Sequence, residues 1–251
     1  MKRIAAIPST ISIALLVIAG CVAAVYLWSV FWEARQPDIN MAYVPQMAEQ
    51  AVMLPNGQAL YVQKFEVSVS EWNLCHKEAG CSLLLRTSRG KNPDETPATG
   101  LSYIDVSQYV AWIRVRSGHA FRLPRVEEWM IIAADVVPEE PAPIFSDPAL
   151  RWASEYLLET QSSRRLKVRG SFSISGQGVA DLDGSVWEWT DDCYSSDENS
   201  PATDKCPAYY AVGEHKAVIP FLVRDPARGG CAVGAPPAHL GFRLVTDQPI
   251  N

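Results

Sequence analysis

The side chains best suited to chemistry gather in residues 178–192, where Asp181 and Asp183 precede Glu188 in a stretch that contains glycines. Carboxylate oxygens are ligands that Ca²⁺ prefers, so Asp181, Asp183 and Glu188 form a candidate calcium site. The alternative is structural. Aspartates beside glycines commonly accept hydrogen bonds from the backbone of turns, and a glutamate with a tryptophan on each side is shielded from water and needs a fixed partner.

A second candidate site consists of Cys231 and His239, which lie eight positions apart in a segment rich in glycine and proline. A thiolate and an imidazole suit Cu⁺ or Zn²⁺, so this pair predicts a metal-handling or oxidising enzyme. The alternative is that Cys231 is a small buried residue beside Gly230.

No catalytic residue can be assigned from motifs. The chain contains no phosphate-binding glycine loop, no Gly-x-Ser-x-Gly and no His-Glu-x-x-His. Its four histidines, at positions 76, 119, 215 and 239, form no close pair. The net charge of -6 argues against nucleic acid as a partner.

The N-terminal part of the chain has the pattern of a membrane anchor. Residues 1–10 are a short basic start, and residues 11–32 contain no charged side chain. Twenty-two such residues suffice to cross a bilayer as a helix. Because basic residues precede the segment, we expect a single-pass protein of the bacterial inner membrane with its C-terminal domain in the periplasm. Cleavage and lipidation at Cys21 is the alternative, because residues 18–21 fit a lipobox.

The cysteine spacing suits two local disulfides in an oxidising compartment. Five residues separate Cys75 from Cys81, and twelve separate Cys193 from Cys206. Other pairings stay open, since four cysteines allow three connectivities.

The elements that must position these residues are short. We predict strands within 59–69, 121–124, 187–189, 221–224 and 241–245, and helices over 70–80 with Ser70 as N-cap, 102–113 with Ser102 or Asp105 as N-cap, and 125–135. A further short helix is predicted at 151–158, an irregular segment at 194–215 and a linker at 33–47. This pattern indicates an α+β domain rich in loops over residues 48–251.

Several segments resemble the formylglycine-generating enzyme, or sulfatase-modifying factor, family in the same order along the chain. Residues 121–129 (FRLPRVEEW) and 178–189 (GVADLDGSVWEW) carry the strongest likeness. Weaker likenesses lie at 65–72, 75–81, 97–112, 228–230 and 241–243. The resemblance implies a single domain with a fold related to C-type lectins.

The resemblance also implies a structural role for most of the matching side chains. In such a domain a buried network of ion pairs and hydrogen bonds is expected to include Arg122, Glu128, Trp129, Trp187, Glu188, Trp189, Arg228 and Arg243. These residues are therefore expected to hold the fold together.

Departures from the family pattern bear on activity. Oxidising members use a copper-bound cysteine pair between the segments that match 228–230 and 241–243, but residues 231–240 contain a single cysteine. Cu⁺ is therefore not expected. Ser185 also stands where the family has an asparagine that binds calcium.

The sequence thus predicts a non-catalytic periplasmic accessory or scaffold protein. We expect it to contact the inner membrane through residues 11–32 and to bind a periplasmic or membrane protein. The short ending over 228–245 is most similar to accessory proteins of copper nitrite reductases. The alternative remains a metal-handling or oxidising enzyme that uses Cys231 and His239.

Overall fold

A computed structural model describes residues 39–137, 165–194, 206–226 and 238–250, together with single positions at 18, 20–23, 26, 147 and 150. The chain divides into two compact units, Met1–Asp38 and Ile39–Asn251. In the first unit the described positions are helical and exposed, Cys21 among them. The predicted anchor at 11–32 lies largely outside the described residues, as do the predicted helix at 151–158 and Cys231. Among the helices that are described, none has the length and apolarity that a bilayer crossing requires.

The described part of the second unit contains three α-helices, and the first two begin with a serine cap. Helix α1 is Val69–Lys77, α2 is Tyr103–Ser117 and α3 is Val126–Ala133. Ser68 caps α1 in a reciprocal arrangement with Glu71, so the predicted N-cap at Ser70 was wrong. The Ser68 hydroxyl is the one that reaches the free N–H groups of the first turn, and Ser70 already lies inside the helix.

Helix α2 follows its prediction at the N-terminus and continues further at the C-terminus. Ser102 and Asp105 cap it reciprocally, so both predicted residues take part. The helix ends at Gly118, whose φ of 68° is a conformation that glycine adopts without strain.

The described residues of the unit also form two small sheets. The strands are β1 (Val52–Met53), β2 (Ala59–Val62), β3 (Trp187–Cys193), β4 (Ala208–Val212), β5 (Lys216–Pro220), β6 (Leu240–Gly241) and β7 (Val245–Thr246). One sheet has the order β1-β2-β7 and the other β5-β4-β3-β6. In the second sheet β3 pairs antiparallel with β4 and parallel with β6.

Four predictions about strands need correction. The segment predicted to be irregular contains β4, and the strand predicted at 221–224 is a turn that follows β5. The predicted strand at 241–245 is divided between β6 and β7, which belong to different sheets. Its residues are buried on both sides of the chain, so they lack the alternation that marks a strand in the sequence. The predicted strand at 121–124 contributes one bridge, between Arg122 and Val245.

Buried side chains form two apolar clusters. The larger contains the stacked rings of Trp72 and Tyr109, with Phe242 packed edge-on against both. The smaller surrounds Trp129 and includes Val245. Aromatic rings bury large areas, so a few of them give this loop-rich domain a core. The predicted α+β class is confirmed.

The segment just before the predicted domain boundary is folded. Residues 39–47 were expected to be linker, but the compact unit begins at Ile39. The Asn40 N–H donates to the Ser117 carbonyl over 2.8 Å, and the Lys64 N–H donates to the Gln46 carbonyl over 2.8 Å. Tyr43, Val44 and Met47 pack against the larger core cluster. The prolines in this segment suggested a linker. The hydrogen bonds that hold its backbone are made with residues far along the chain, so the local sequence does not indicate them.

Candidate functional site

Glu188, at the centre of the candidate calcium site, is held by a buried arginine. It lies in β3, between β4 and β6, with no exposed surface. Arg243 is equally buried and donates to both carboxylate oxygens, from Nη2 to Oε1 over 2.6 Å and from Nε to Oε2 over 2.7 Å. The Trp129 indole N–H donates to Oε2 over 2.9 Å. These bonds supply the fixed partners that a buried carboxylate requires.

The guanidinium of Arg243 also joins separate parts of the chain. Nη2 donates to the Ala180 carbonyl over 3.0 Å, and Nη1 donates to the carbonyls of Gln63 and Lys64 over 3.4 and 3.3 Å. The neighbouring indoles have other roles. Trp189 donates to the Leu101 carbonyl, and Trp187 packs edge-on against the His215 ring. The Trp-Glu-Trp stretch therefore connects β3 with the segments that contain Leu101, His215 and Arg243.

A second buried acid, Glu66, lies close to this pair. Its side chain is almost fully buried, and Oε2 has no hydrogen-bond partner within the described part of the chain. Burial raises the pKa of Glu66 to about 8; Arg243 opposes the shift, while the negative charges of Glu188 and Asp181 add to it. Glu66 therefore keeps its proton at neutral pH.

A separate, less buried ion pair joins α3 to the C-terminal segment. Arg122 binds Glu128 in a bidentate manner, over 2.7 and 2.8 Å, and also contacts Asp247. Burial opposes ionisation of Glu128, but the hydrogen bonds from Arg122 and from the Arg125 N–H hold its pKa below the usual range. The structure thus divides the expected network into two groups, one around Arg122 and one around Arg243. Arg228 lies outside the described residues.

The two aspartates of the candidate calcium site accept hydrogen bonds from the backbone. Asp181 has a φ of 63° and accepts from the N–H groups of Gly170 and Phe172. Asp183 accepts from the N–H and hydroxyl of Ser173. Within the described residues, no three His, Cys, Asp or Glu side chains are grouped so that they could hold a metal ion. Calcium binding stays a prediction.

Sequence reasoning missed Glu66, Asp247 and Ser173 as members of these groups. Glu66 lies between Phe65 and Val67 in a segment with alternating apolar residues, and this alternation predicts that its side chain is on the polar, exposed face of a strand. Asp247 has no signal in the sequence, because its partner Arg122 is 125 residues away.

The predicted disulfides are confirmed. Cys75 is bonded to Cys81, and Cys193 to Cys206. Because Cys231 is not among the described residues, its distance from His239 is not defined. The His239 carbonyl accepts from the Trp187 N–H over 2.9 Å, immediately before β6.

Comparisons with known proteins identify the family. The sulfatase-modifying factor enzyme 1-like domain matches residues 38–248, and the chain belongs to this family. No curated protein matches it in sequence.

Three solved structures are similar to this chain at low identity. PvdO from Pseudomonas aeruginosa is 19% identical over 75% of this chain and 80% of its own, with a TM-score of 0.48. CarF is 16% identical over 77% and 87%, with a TM-score of 0.48. Variable protein 1 of Treponema denticola is 12% identical over 81% and 91%, with a TM-score of 0.46.

The residues present do not fit the two-cysteine copper site that the family resemblance implied. Linear coordination of Cu⁺ by protein thiolates needs two of them. Four cysteines of the folded unit are consumed by its two disulfides. Among residues 39–251 this leaves Cys231 alone.

Proposed function

We propose that this protein is a non-catalytic accessory or scaffold protein, anchored in the bacterial inner membrane, whose periplasmic domain binds a partner protein. The observation that carries this proposal is the number of cysteines in the domain that are outside disulfides. With one cysteine outside the two disulfides, the domain lacks the pair that the oxidising members of the family use. The side chains with the strongest likeness to the family stabilise the fold.

The geometry of the matching segments supports a scaffold role. Glu188 and Arg243 are fully buried and bind each other, and Glu128 binds Arg122. Bonds of this kind hold a rigid frame from which exposed loops can contact a partner. Because the chain keeps this frame and lacks the cysteine pair, binding of a partner protein is favoured over catalysis of an oxidation.

The two disulfides support placement in the periplasm. Disulfides persist in oxidising compartments and are rare in the cytosol. The uncharged segment at 11–32 then provides the anchor. Anchoring raises the effective concentration of the domain near partners at the same membrane.

As partner we propose a periplasmic metalloenzyme of the copper nitrite reductase kind. The support for this choice is the residue pattern over 228–245, which resembles that of accessory proteins of these enzymes. A metalloenzyme partner would not require the accessory domain to bind metal itself.

The test is affinity purification of the full-length chain from detergent-solubilised membranes. A matched control carries residues 1–38 on an unrelated periplasmic domain, so it shares the anchor and lacks the folded unit. We expect one periplasmic metalloenzyme to be recovered in constant ratio with the full chain and not with the control. Recovery of the same proteins by both would contradict partner binding by the domain.

A second experiment tests the absence of catalysis. Two quantities are measured for the wild-type protein and for the Cys231→Ser and His239→Ala variants. They are the metal content and the rate at which an added thiol substrate is oxidised. We expect all three to behave alike. Bound copper or zinc that is lost in both variants would instead establish the metal-handling alternative.

A further inference from the structure

An apolar groove of about 430 Å³ lies at the N-terminal edge of the folded unit. It is lined by residues from the first folded segment, from β2 and from the C-terminal end of the chain: Met41, Val44, Pro45, Met47, Ala48, Tyr61, Pro249 and Ile250. Met41 exposes 58% of its surface. Met41 therefore adds an exposed apolar side chain to the apolar surface of the groove.

The groove and its surroundings offer little net charge. None of the lining residues is ionised at neutral pH. Among the described acids, those nearest to the lining residues along the chain are paired: Glu49 with Lys64 over 2.8 Å, and Asp247 with Arg122 over 2.5 Å. An apolar surface with a tyrosine and neutralised neighbours suits the interface of a phospholipid bilayer, where aromatic and apolar side chains leave water without desolvating free charges.

The segment that lines the groove is fastened firmly to the domain. Beside the Asn40 and Lys64 backbone bonds, the Tyr43 hydroxyl donates to Glu78 over 2.8 Å, and the Ala48 N–H donates to the Val62 carbonyl over 2.8 Å. Only residues 33–38 separate the apolar segment 11–32 from Ile39. Even a fully extended chain between positions 32 and 39 spans no more than about 25 Å.

We propose that this groove is a membrane-docking surface that rests on the periplasmic leaflet of the bilayer in which the chain is anchored. This inference rests on the membrane anchor of the proposed function. The occupant is phospholipid, whose glycerol region and upper acyl chains cover Met41, Val44 and Ile250. A tether of six residues favours lipid over a soluble partner, because it gives the bilayer a high effective concentration at the groove.

Helix α2 provides an internal control for the experiment. Its C-terminal end meets the groove-lining segment through the bond from Asn40 to Ser117. Its N-terminal end meets the turn after β5 through the bond from the Ile104 N–H to the Phe221 carbonyl. Fifteen helical residues place these ends about 21 Å apart. Leu222, beside Phe221, is 65% exposed and therefore matches Met41 in accessibility.

The full-length chain is reconstituted in nanodiscs of phosphatidylethanolamine and phosphatidylglycerol, with the photo-cross-linking residue p-benzoylphenylalanine at position 41 or at position 222. Intact-mass spectrometry measures the fraction of chains that carry a covalent lipid adduct. We expect the lipid-adduct yield at position 41 to exceed that at position 222 severalfold. Equal yields, or cross-links at position 41 to a second copy of the chain, would overturn the docking surface.

Carbonate extraction of native membranes separates this failure from failure of the anchor. If the chain stays in the membrane while the two positions give equal lipid adducts, the docking surface is wrong and the anchor stands. If carbonate releases the chain, the anchor and the docking surface are both wrong.

Discussion

Three buried carboxyl groups, those of Glu188, Glu66 and Asp181, lie near the buried guanidinium of Arg243. Arg243 is saturated by Glu188 and by three backbone carbonyls, while Glu188 and Asp181 lie near enough to Glu66 to add to the rise of its pKa that burial causes. Asp181 is satisfied by backbone N–H groups. Glu66 retains an oxygen without a partner within the described residues. Burial of the Glu66 carboxyl group, to which the negative charge of Glu188 adds, favours its neutral form.

This arrangement predicts a dependence of stability on pH. Because the pKa of Glu66 is raised to about 8 in the folded state and lies near 4.3 in the unfolded chain, the folded state binds more protons between these values. The free energy of unfolding is therefore expected to fall as pH rises from about 5 to about 8, by up to about 1.4 kcal/mol per pH unit from this group.

Urea unfolding at several pH values measures this dependence. The Glu66→Gln variant is the control, since it keeps the neutral shape and cannot ionise. Its free energy of unfolding should change less with pH than that of the wild type. Parallel curves for the two proteins would show that Glu66 does not carry the effect.

At the scale of elements, the end of α1 shows how closely the helices pack. After α1, Ala79 adopts a φ of 60°, a conformation unusual for a residue with a side chain. The next residue, Gly80, lies against α2, where an added Cβ would stand 2.5 Å from Trp112 Cδ1. The disulfide between Cys75 and Cys81 closes around this turn.

Two adjacent substitutions should therefore change stability in opposite directions. Gly80→Ala is expected to lower the free energy of unfolding by about 1–3 kcal/mol, because the buried indole of Trp112 must shift. Ala79→Gly is expected to raise it by up to about 1 kcal/mol, because glycine relieves the left-handed strain at some entropic cost. Chemical denaturation of both variants measures the effects; a Gly80→Ala protein as stable as the wild type would contradict the close packing.

At the scale of the whole molecule, two disulfides brace a domain with few regular elements. Cys75 and Cys81 are buried, whereas Cys193 is exposed and Cys206 is half-buried. The second bridge joins the end of β3 to the chain just before β4. Cross-links of this kind restrict the unfolded chain and so offset the limited apolar burial of a loop-rich fold.

The difference in exposure predicts an order of reduction. After free thiols are blocked, mild treatment with dithiothreitol should release Cys193 and Cys206 before Cys75 and Cys81, because a thiolate must reach the sulfur it attacks. Differential alkylation followed by peptide mass spectrometry measures the order. Denatured protein, in which both bridges are accessible, is the control, and simultaneous release from the folded protein would contradict the described burial.

Much of the local structure could be predicted from the sequence because its causes are local. Ser102 and Asp105 are three residues apart and cap α2, and each disulfide joins cysteines at most thirteen positions apart. The motifs at 121–129 and 178–189 indicated the family, and the match over residues 38–248 confirmed it. Motifs, caps and short cysteine spacings are properties of neighbouring residues, so they can be read without the fold.

Only the tertiary structure decided how distant charges pair and where the domain begins. Glu188 meets Arg243 across 55 positions, and residues 39–47 join the fold through partners such as Ser117 and Glu78. The strands after residue 239 belong to two sheets because their neighbours, β3 and β2, come from distant segments. Long-range hydrogen bonds form only when the folded core brings such segments together. The residues could therefore be predicted from the sequence, but their partners are known only from the tertiary structure.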